Sequence, residues 1–234
     1  MSTVIVESAP EQEGTEDVAR PLRADARRNR ERVLAAATEV FAEQGAEASV
    51  AEIARRAGVG AGTLFRHFPT KHDLLLATLE VGFDDVQAAI EHAETFDDGW
   101  QGLVHVLTVC AEIQARDRGF LESVGPELFQ EPTLQRRNAQ RMASLSAVLQ
   151  RAQADGLVRD DLRAEDVPFL ISAVGGATGK CARGGAIDPE LWRRYLGIVL
   201  DGMRPAGASP LPVDAPTFEQ LTSSCQATAV SGTD

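Results

Sequence analysis

The chain has 234 residues, 44% hydrophobic and 25% charged, enough to bury a core without covalent staples. Three widely spaced cysteines (Cys110, Cys181, Cys225) exclude a disulfide framework and favour a reducing compartment, and apolar stretches such as residues 167–177 are too short for a bilayer. The net charge of −12 would argue against a nucleic-acid partner if it were evenly spread, but residues 1–19 carry −5, residues 20–72 carry +4 and residues 73–234 carry −11.

Residues 1–20 are acidic and lack apolar periodicity. They are expected to form a disordered tail, and without a basic-then-apolar pattern they speak against export, so a cytoplasmic location is expected. Arg outnumbers Lys 21 to 2, which points to a GC-rich bacterial source. The first predicted helix covers residues 24–44. Val33, Ala36, Ala37, Val40 and Phe41 follow the spacing of one buried face, and Gly45 stops it. Ser49 opens a second helix with Glu52 three residues on, a capping-box pair; Ile53, Ala54 and Ala57 face inward and Gly58 ends it. A third short helix starts at Gly60 or Ala61, carries Leu64, Phe65 and Phe68, and closes at Pro69. Thr70 and Asp73 form another cap pair and launch a long helix through Leu74, Leu79, Phe83, Val86 and Ile90. Further helices are expected over 100–116, 118–124, 132–155, 164–181 and 189–203. Residues 205–234, with Pro205, Pro210, Pro212 and Pro216 among small residues, read as a second disordered tail. No alternating run bounded by turns occurs. The fold class is therefore all-α, with an N-terminal three-helix head over residues 21–70 and a larger helical body over 71–204.

In the basic head, two short helices flank a tight Gly58-Val59-Gly60 turn, and Ala54, Ala57, Val59, Leu64 and Phe68 hold them in a fixed orientation. Basic and hydroxyl side chains lie at the edges. A helix-turn-helix has this form: its second helix must be short and rigid to enter a major groove, while helix ends and cations meet phosphates. Two glycine-rich runs are near-misses. Gly58 to Gly62 imitates a dinucleotide fingerprint but follows a helix, not a strand, and Gly175 to Cys181 imitates a phosphate loop but lacks its first glycine and its Ser/Thr. His92 and His105 have no partner at ligand spacing, and no catalytic triad is recognisable. No metal, no cofactor and no enzymatic activity are expected.

The run Phe41-Ala42-Glu43-Gln44-Gly45, then Ser49-Val50-Ala51-Glu52-Ile53-Ala54-Arg55-Arg56-Ala57-Gly58-Val59-Gly60-Ala61-Gly62-Thr63-Leu64-Phe65-Arg66-His67-Phe68-Pro69-Thr70-Lys71, resembles the DNA-binding domain of the TetR (tetracycline repressor) family. The resemblance covers about fifty residues; the rest of the chain is similar to the family in helical architecture. It implies that Thr63 and Arg66 face base edges, that Gly60, Ala61 and Gly62 permit close approach, and that Ser49, His67 and Lys71 meet phosphates. Arg55 would reach the groove edge, and Arg27, Arg28 and Arg30 would bind backbone or minor groove. Phe65 stands where the family commonly has Tyr, and Gly60 where it has Ser or Thr, so a phosphate-contacting hydroxyl and a cap are missing. More of the readout then falls on Arg66, Thr63 and DNA shape.

The resemblance also implies a body that binds a small-molecule effector and dimerises. Phe169, Leu170, Ile171, Val174, Leu191, Trp192, Tyr195, Leu196, Val199 and Leu200 are too many apolar residues for one monomer face, and two helices from each chain packed as a four-helix bundle would bury them. A two-fold dimer on double-stranded DNA calls for a palindromic operator. Candidate effector residues are Phe83, Trp100, Leu103, Leu107, Cys110, Phe120, Met142, Leu145 and Phe169, with His105 and Gln114 as polar groups to orient a mostly apolar ligand. Ligand would favour a pose in which the helix after Thr70 swings the recognition helices out of register. The resulting reading is a ligand-responsive, homodimeric transcriptional regulator, most simply a repressor. Two alternatives stay open: a helix-turn-helix protein acting without a ligand, and a small-molecule-binding protein or enzyme without DNA function.

Overall fold

In the computed structural model, residues 16–182, 188 and 190–220 are described, and among them ten helices and no strand occur. The head is built from α1 (Glu16–Gln44), α2 (Val50–Ala57) and α3 (Ala61–His67). The body follows as α4 (Lys71–Ala93), α5 (Gly99–Arg116), α6 (Arg118–Ser123), α7 (Pro126–Phe129), α8 (Pro132–Ala154), α9 (Asp166–Ala182) and α10 (Leu191–Gly202). The expected all-α class and its two parts are thus observed. Helix α1 begins eight residues before the expected start, so residues 16–20 are helical and not part of a tail. The physical reason is cooperativity: once the packed turns from Val33 onward are formed, propagation outward costs little. Residues 1–15 lie outside the described residues. The four-residue α7 is too short to show a period.

Local chemistry sets most boundaries. Gly45 takes φ 77° and Gly58 φ 64°, a left-handed conformation that side chains with a Cβ rarely adopt, and the Gly58 N–H bonds the carbonyls of Ala54 and Arg55. Thr70 forms the expected capping box: its hydroxyl accepts from the Asp73 N–H and the Asp73 carboxylate accepts from the Thr70 N–H. The box expected at Ser49 is incomplete. Ser49 Oγ accepts from Ala51 N, but the Glu52 carboxylate turns to Arg55, because a guanidinium offers two charge-assisted bonds where the backbone offers one.

Two apolar clusters form. One joins α1 to α4 through Val33, Val40, Phe41, Ile53, Leu64, Phe68 and Leu74, and it also takes in Phe120, Leu128 and Leu134 from α6, α7 and α8. The other fills the body around Leu103, Val106, Leu107, Leu149, Ile171, Val174, Trp192 and Leu196. The head's core is thus completed by body residues. The rings of Phe41 and Phe120 stack with centroids 5.2 Å apart, and Ser123 Oγ accepts from the Ala46 N–H at 2.6 Å. His72 on α4 meets Glu131, just ahead of α8, at 3.1 Å.

Part of the expected C-terminal tail is also ordered. Residues 203–211 fold back on the α8–α9 connection, where Arg159 Nη2 donates to the Ser209 carbonyl and Arg159 Nε to Asp161, while the Leu211 N–H bonds Asp161. Phe218 packs on the body core. Composition reads these prolines as disordered; a single arginine with several acceptors ties them down. The Arg159 guanidinium holds the Asp161 carboxyl at about 2, below its ordinary 3.8. A carboxyl depressed on folding stabilises above its unfolded pKa and loses that contribution as pH falls through the folded value. The strap should therefore hold above about pH 4 and release toward pH 2. Hydrogen exchange checks this: the Leu211 amide, slowed relative to its intrinsic rate at neutral pH, should lose that protection near pH 2, and in Asp161→Ala it should lose it at neutral pH as well.

Candidate nucleic-acid interface

The turn between α2 and α3 is clamped from α1. Arg32 Nη2 donates to the carbonyls of Ala57 at 2.5 Å and Gly58 at 3.0 Å, acceptors that the end of α2 leaves without a helical partner. Leu64 and Phe68 are buried beneath α3, and the guanidinium of Arg30 lies 5.2 Å from the Phe68 ring centre. The short α3 is thus held at its start by Arg32 and at its end by Phe68. Sequence spacing does not show the Arg32 clamp, since the contact spans 26 residues. Arg32→Met should cost roughly 1–3 kcal/mol, because it leaves two helix-end carbonyls short of a charged donor. Urea unfolding of the variant measures this.

The outward face of α3 presents Ala61, Gly62, Phe65 and Arg66, with Thr63 and His67 half-buried at its flanks. Gly60 caps the helix without a side-chain bond, and a Cβ added at Gly60 or Gly62 would meet nothing within 4 Å. The start of α3 is therefore open backbone, suited to close approach by a groove wall. Phe65 is 47% exposed and is not a core residue, unlike Phe68. Arg66 is exposed and in no ion pair among the described residues. Arg55 is bound at both ends of its fork by Glu52, which holds that carboxyl below its ordinary range; Arg56 does the same to Glu43 at 2.7 Å. Around this face stand Ser49 at the start of α2, Lys71 at the start of α4 with Glu47 3.9 Å away, and Arg27 and Arg28 on α1, paired with Glu31 and Asp25. These carboxylates are exposed, so exchanging them for phosphates costs little.

The expected effector residues do not converge on one cavity. Leu103, Leu107, Met142 and Leu145 are buried in the body core. Trp100 lies under Arg204, with 3.5 Å from guanidinium to ring centre, and His105 packs against His92 and Phe96 at the far end of α4. Gln114 lies against Gly175 on α9. Phe83 is covered by Arg141, and Cys110 lies near that arginine; burial pushes its thiol up to about 11. Two residues stand elsewhere than expected. Phe120 belongs to the head's core through its stack on Phe41, and Phe169 is 43% exposed on α9, on the outer surface. The helix period places such residues on a face but does not say which neighbour that face meets. Two concave surfaces, one of 510 Å³ beside the C-terminal strap and one of 350 Å³ between α4 and α8 near Gln87, Ile90 and Val148, are lined by none of these eleven residues.

Comparison with known proteins decides the family. Residues 33–78 match the family described as "Bacterial regulatory proteins, tetR family", and residues 98–205 match "Transcriptional regulator SbtR-like, C-terminal domain". A TetR transcription regulatory protein from Mycobacterium vanbaalenii is 33% identical in sequence, with 79% of this chain and 99% of that one superposed at a TM-score of 0.56. The chain belongs to the TetR family of bacterial transcriptional regulators. The TetR regulator SCO0520 from Streptomyces coelicolor is 25% identical, with a TM-score of 0.60 over 76% of this chain and 99% of its own. The HTH-type transcriptional regulator SAUSA300_2515 of Staphylococcus aureus is 35% identical over 89 residues, 38% of this chain. The match spans about half the length of such curated relatives, 46% in this case. No helix among the described residues is long and apolar enough to cross a membrane.

Proposed function

We propose that this TetR-family regulator is a cytoplasmic repressor that binds a palindromic operator as a homodimer and leaves it when a small, mostly apolar effector enters the body. The observation that carries the DNA half is the rigid, sparsely decorated α3 presented from a +4 head on a −11 body. An acidic body kept away from the duplex concentrates DNA attraction at the head. In this reading Thr63 and Arg66 address base edges, Gly60, Ala61, Gly62 and Phe65 form the close-packed contact, and Ser49, His67, Lys71, Arg27, Arg28 and Arg30 meet backbone, with Arg55 at the groove edge.

The dimer reading draws on the outer surface of α9 and α10. Ile171, Val174, Trp192 and Leu196 are buried within one chain, so the monomer covers more of the apolar set than periodicity suggests. Phe169, Tyr195 and Ile198 remain exposed as a face that a second copy would cover. The effector would act by shifting the balance between poses of α4, which starts at the DNA-facing Lys71 and runs into the body. Selection of bound duplexes from a random pool, with light scattering to give the oligomeric state, tests the reading. A dimer should enrich an inverted repeat; a monomer, or a pool that stays random, would sink the proposal.

A further inference from the structure

Arg141 is the one arginine among the described residues that is buried, with 9% of its surface exposed. Other arginines that are partly covered have a carboxylate: Arg159 has Asp161, Arg56 has Glu43, and Arg137, one turn before Arg141, has Glu80 and Asp84. Arg141 has none among the described residues. Its Nη2 donates to Asn138 Oδ1 at 2.8 Å and its Cζ lies over the Phe83 ring, 3.7 Å from the ring centre, so one face and one corner of the guanidinium are occupied. Its other N–H groups have no protein acceptor among the described residues. Burial pushes the group down to about 10, the nearby Arg137 adds to the fall, and the carboxylate of Asp84, which Arg137 already holds, only partly opposes it. A buried unpaired charge is a costly way to fill space, and an apolar residue of similar volume would serve the fold better.

Its position is as informative as its isolation. Phe83 packs on the cluster that includes the head's core, while Cys110, Met142 and Leu145 belong to the body cluster. Arg141 therefore stands at the seam between the two apolar clusters, on α8, facing α4 and α5. A ligand drawn there would touch the helix that begins at the DNA-binding end.

We propose that Arg141 is the anion-binding point of the effector site, and that the effector is an organic acid whose single carboxylate takes the open edge of this guanidinium, at the seam between the two apolar clusters. One cation with a planar, bidentate fork matches one carboxylate in charge and shape. A phosphate dianion would bring a second charge for which the site has no partner, since Arg137 is already committed to Glu80 and Asp84. The inference rests on the body being the effector-binding part, but its test does not use DNA.

Calorimetric titration of the full chain with sodium octanoate and sodium benzoate, each against its neutral amide, reads the site directly. At least one acid should bind roughly 10- to 100-fold tighter than its amide, the worth of a charge-assisted bidentate contact. Arg141→Met should abolish that preference, and Arg141→Lys, which keeps a point charge without the fork, should keep only part of it. Without ligand, Arg141→Met should unfold at the same or a higher temperature than the natural chain, because a desolvated charge has been removed. Neither acid binding at millimolar concentration, equal affinity for acid and amide, a preference that survives Arg141→Met, or a fall in its unfolding temperature would each overturn the proposal. Acids that bind but never release DNA would sink the repressor reading and leave this site standing; release by a neutral compound alone would do the reverse.

Discussion

Gly99→Ala should destabilise the protein by about 3 kcal/mol or more, although it replaces the poorest common helix former but proline with the best. Gly99 is buried at the start of α5, and its N–H bonds Asp155 Oδ2 at 2.8 Å. A Cβ there would stand 2.6 Å from Ala152 N, 2.7 Å from Ala152 Cα and 2.9 Å from Arg151 C. All three are backbone atoms of α8, so no side chain can swing away to make room. The gain in helix propensity, at most about 1 kcal/mol, is outweighed by prising two helices apart along the body core. At about 2–4 °C per kcal/mol for a chain of this size, the midpoint should drop by roughly 6–12 °C. Gly62→Ala is the matched control: the added methyl enters open space within α3, and the same substitution should stabilise by about 0.5–1 kcal/mol. Scanning calorimetry of both variants decides the matter. A Gly99→Ala midpoint equal to that of the natural chain would mean that α5 and α8 do not touch there.

The head was legible in the sequence because its signals are local. Glycines with positive φ after α1 and α2, the Thr70–Asp73 box and the short spacing of buried apolar residues each act within a few positions. Where two local partners compete, the signal weakens: Glu52 fits a capping box on paper, yet Arg55 and Arg56 on its own helix outbid the Ser49 backbone. The candidate effector residues were less legible. Phe120 and Phe83 lie on helices that the sequence places, but their neighbours, Phe41 and Arg141, are 79 and 58 positions away. Arg141 itself reads as one more cation on a basic stretch of α8, and only packing reveals that it is buried with no ion pair among the described residues. The ordered strap after α10 escapes for the same reason, since Arg159 and Ser209 are 50 positions apart.

The largest functional effect should come from salt. If both protomers bring Arg27, Arg28, Arg30 and Lys71 to the backbone, about eight phosphates are neutralised, and raising salt from about 50 to about 200 mM should weaken operator binding roughly 10³- to 10⁵-fold. The ion pairs these side chains leave behind do little to blunt this, because Glu47, Glu31 and Asp25 are themselves exposed and remain hydrated after the exchange. Lys71→Ala removes one such contact per protomer. It should weaken binding to operator and random duplex alike and lower the slope of log affinity against log salt by about 2 for the dimer. Arg66→Ala should behave otherwise. With no ion pair among the described residues and a place on the outward face of α3, Arg66 in the proposed reading would put its fork on a base edge, where loss should cost about 1–3 kcal/mol per half-site. Operator affinity should fall while random-duplex affinity holds, so the ratio between them collapses. The two variants thus separate charge from readout by fluorescence anisotropy over a salt series. If Arg66→Ala leaves the ratio intact, or if Lys71→Ala spares random duplex, the face of α3 described above is not the surface that meets DNA.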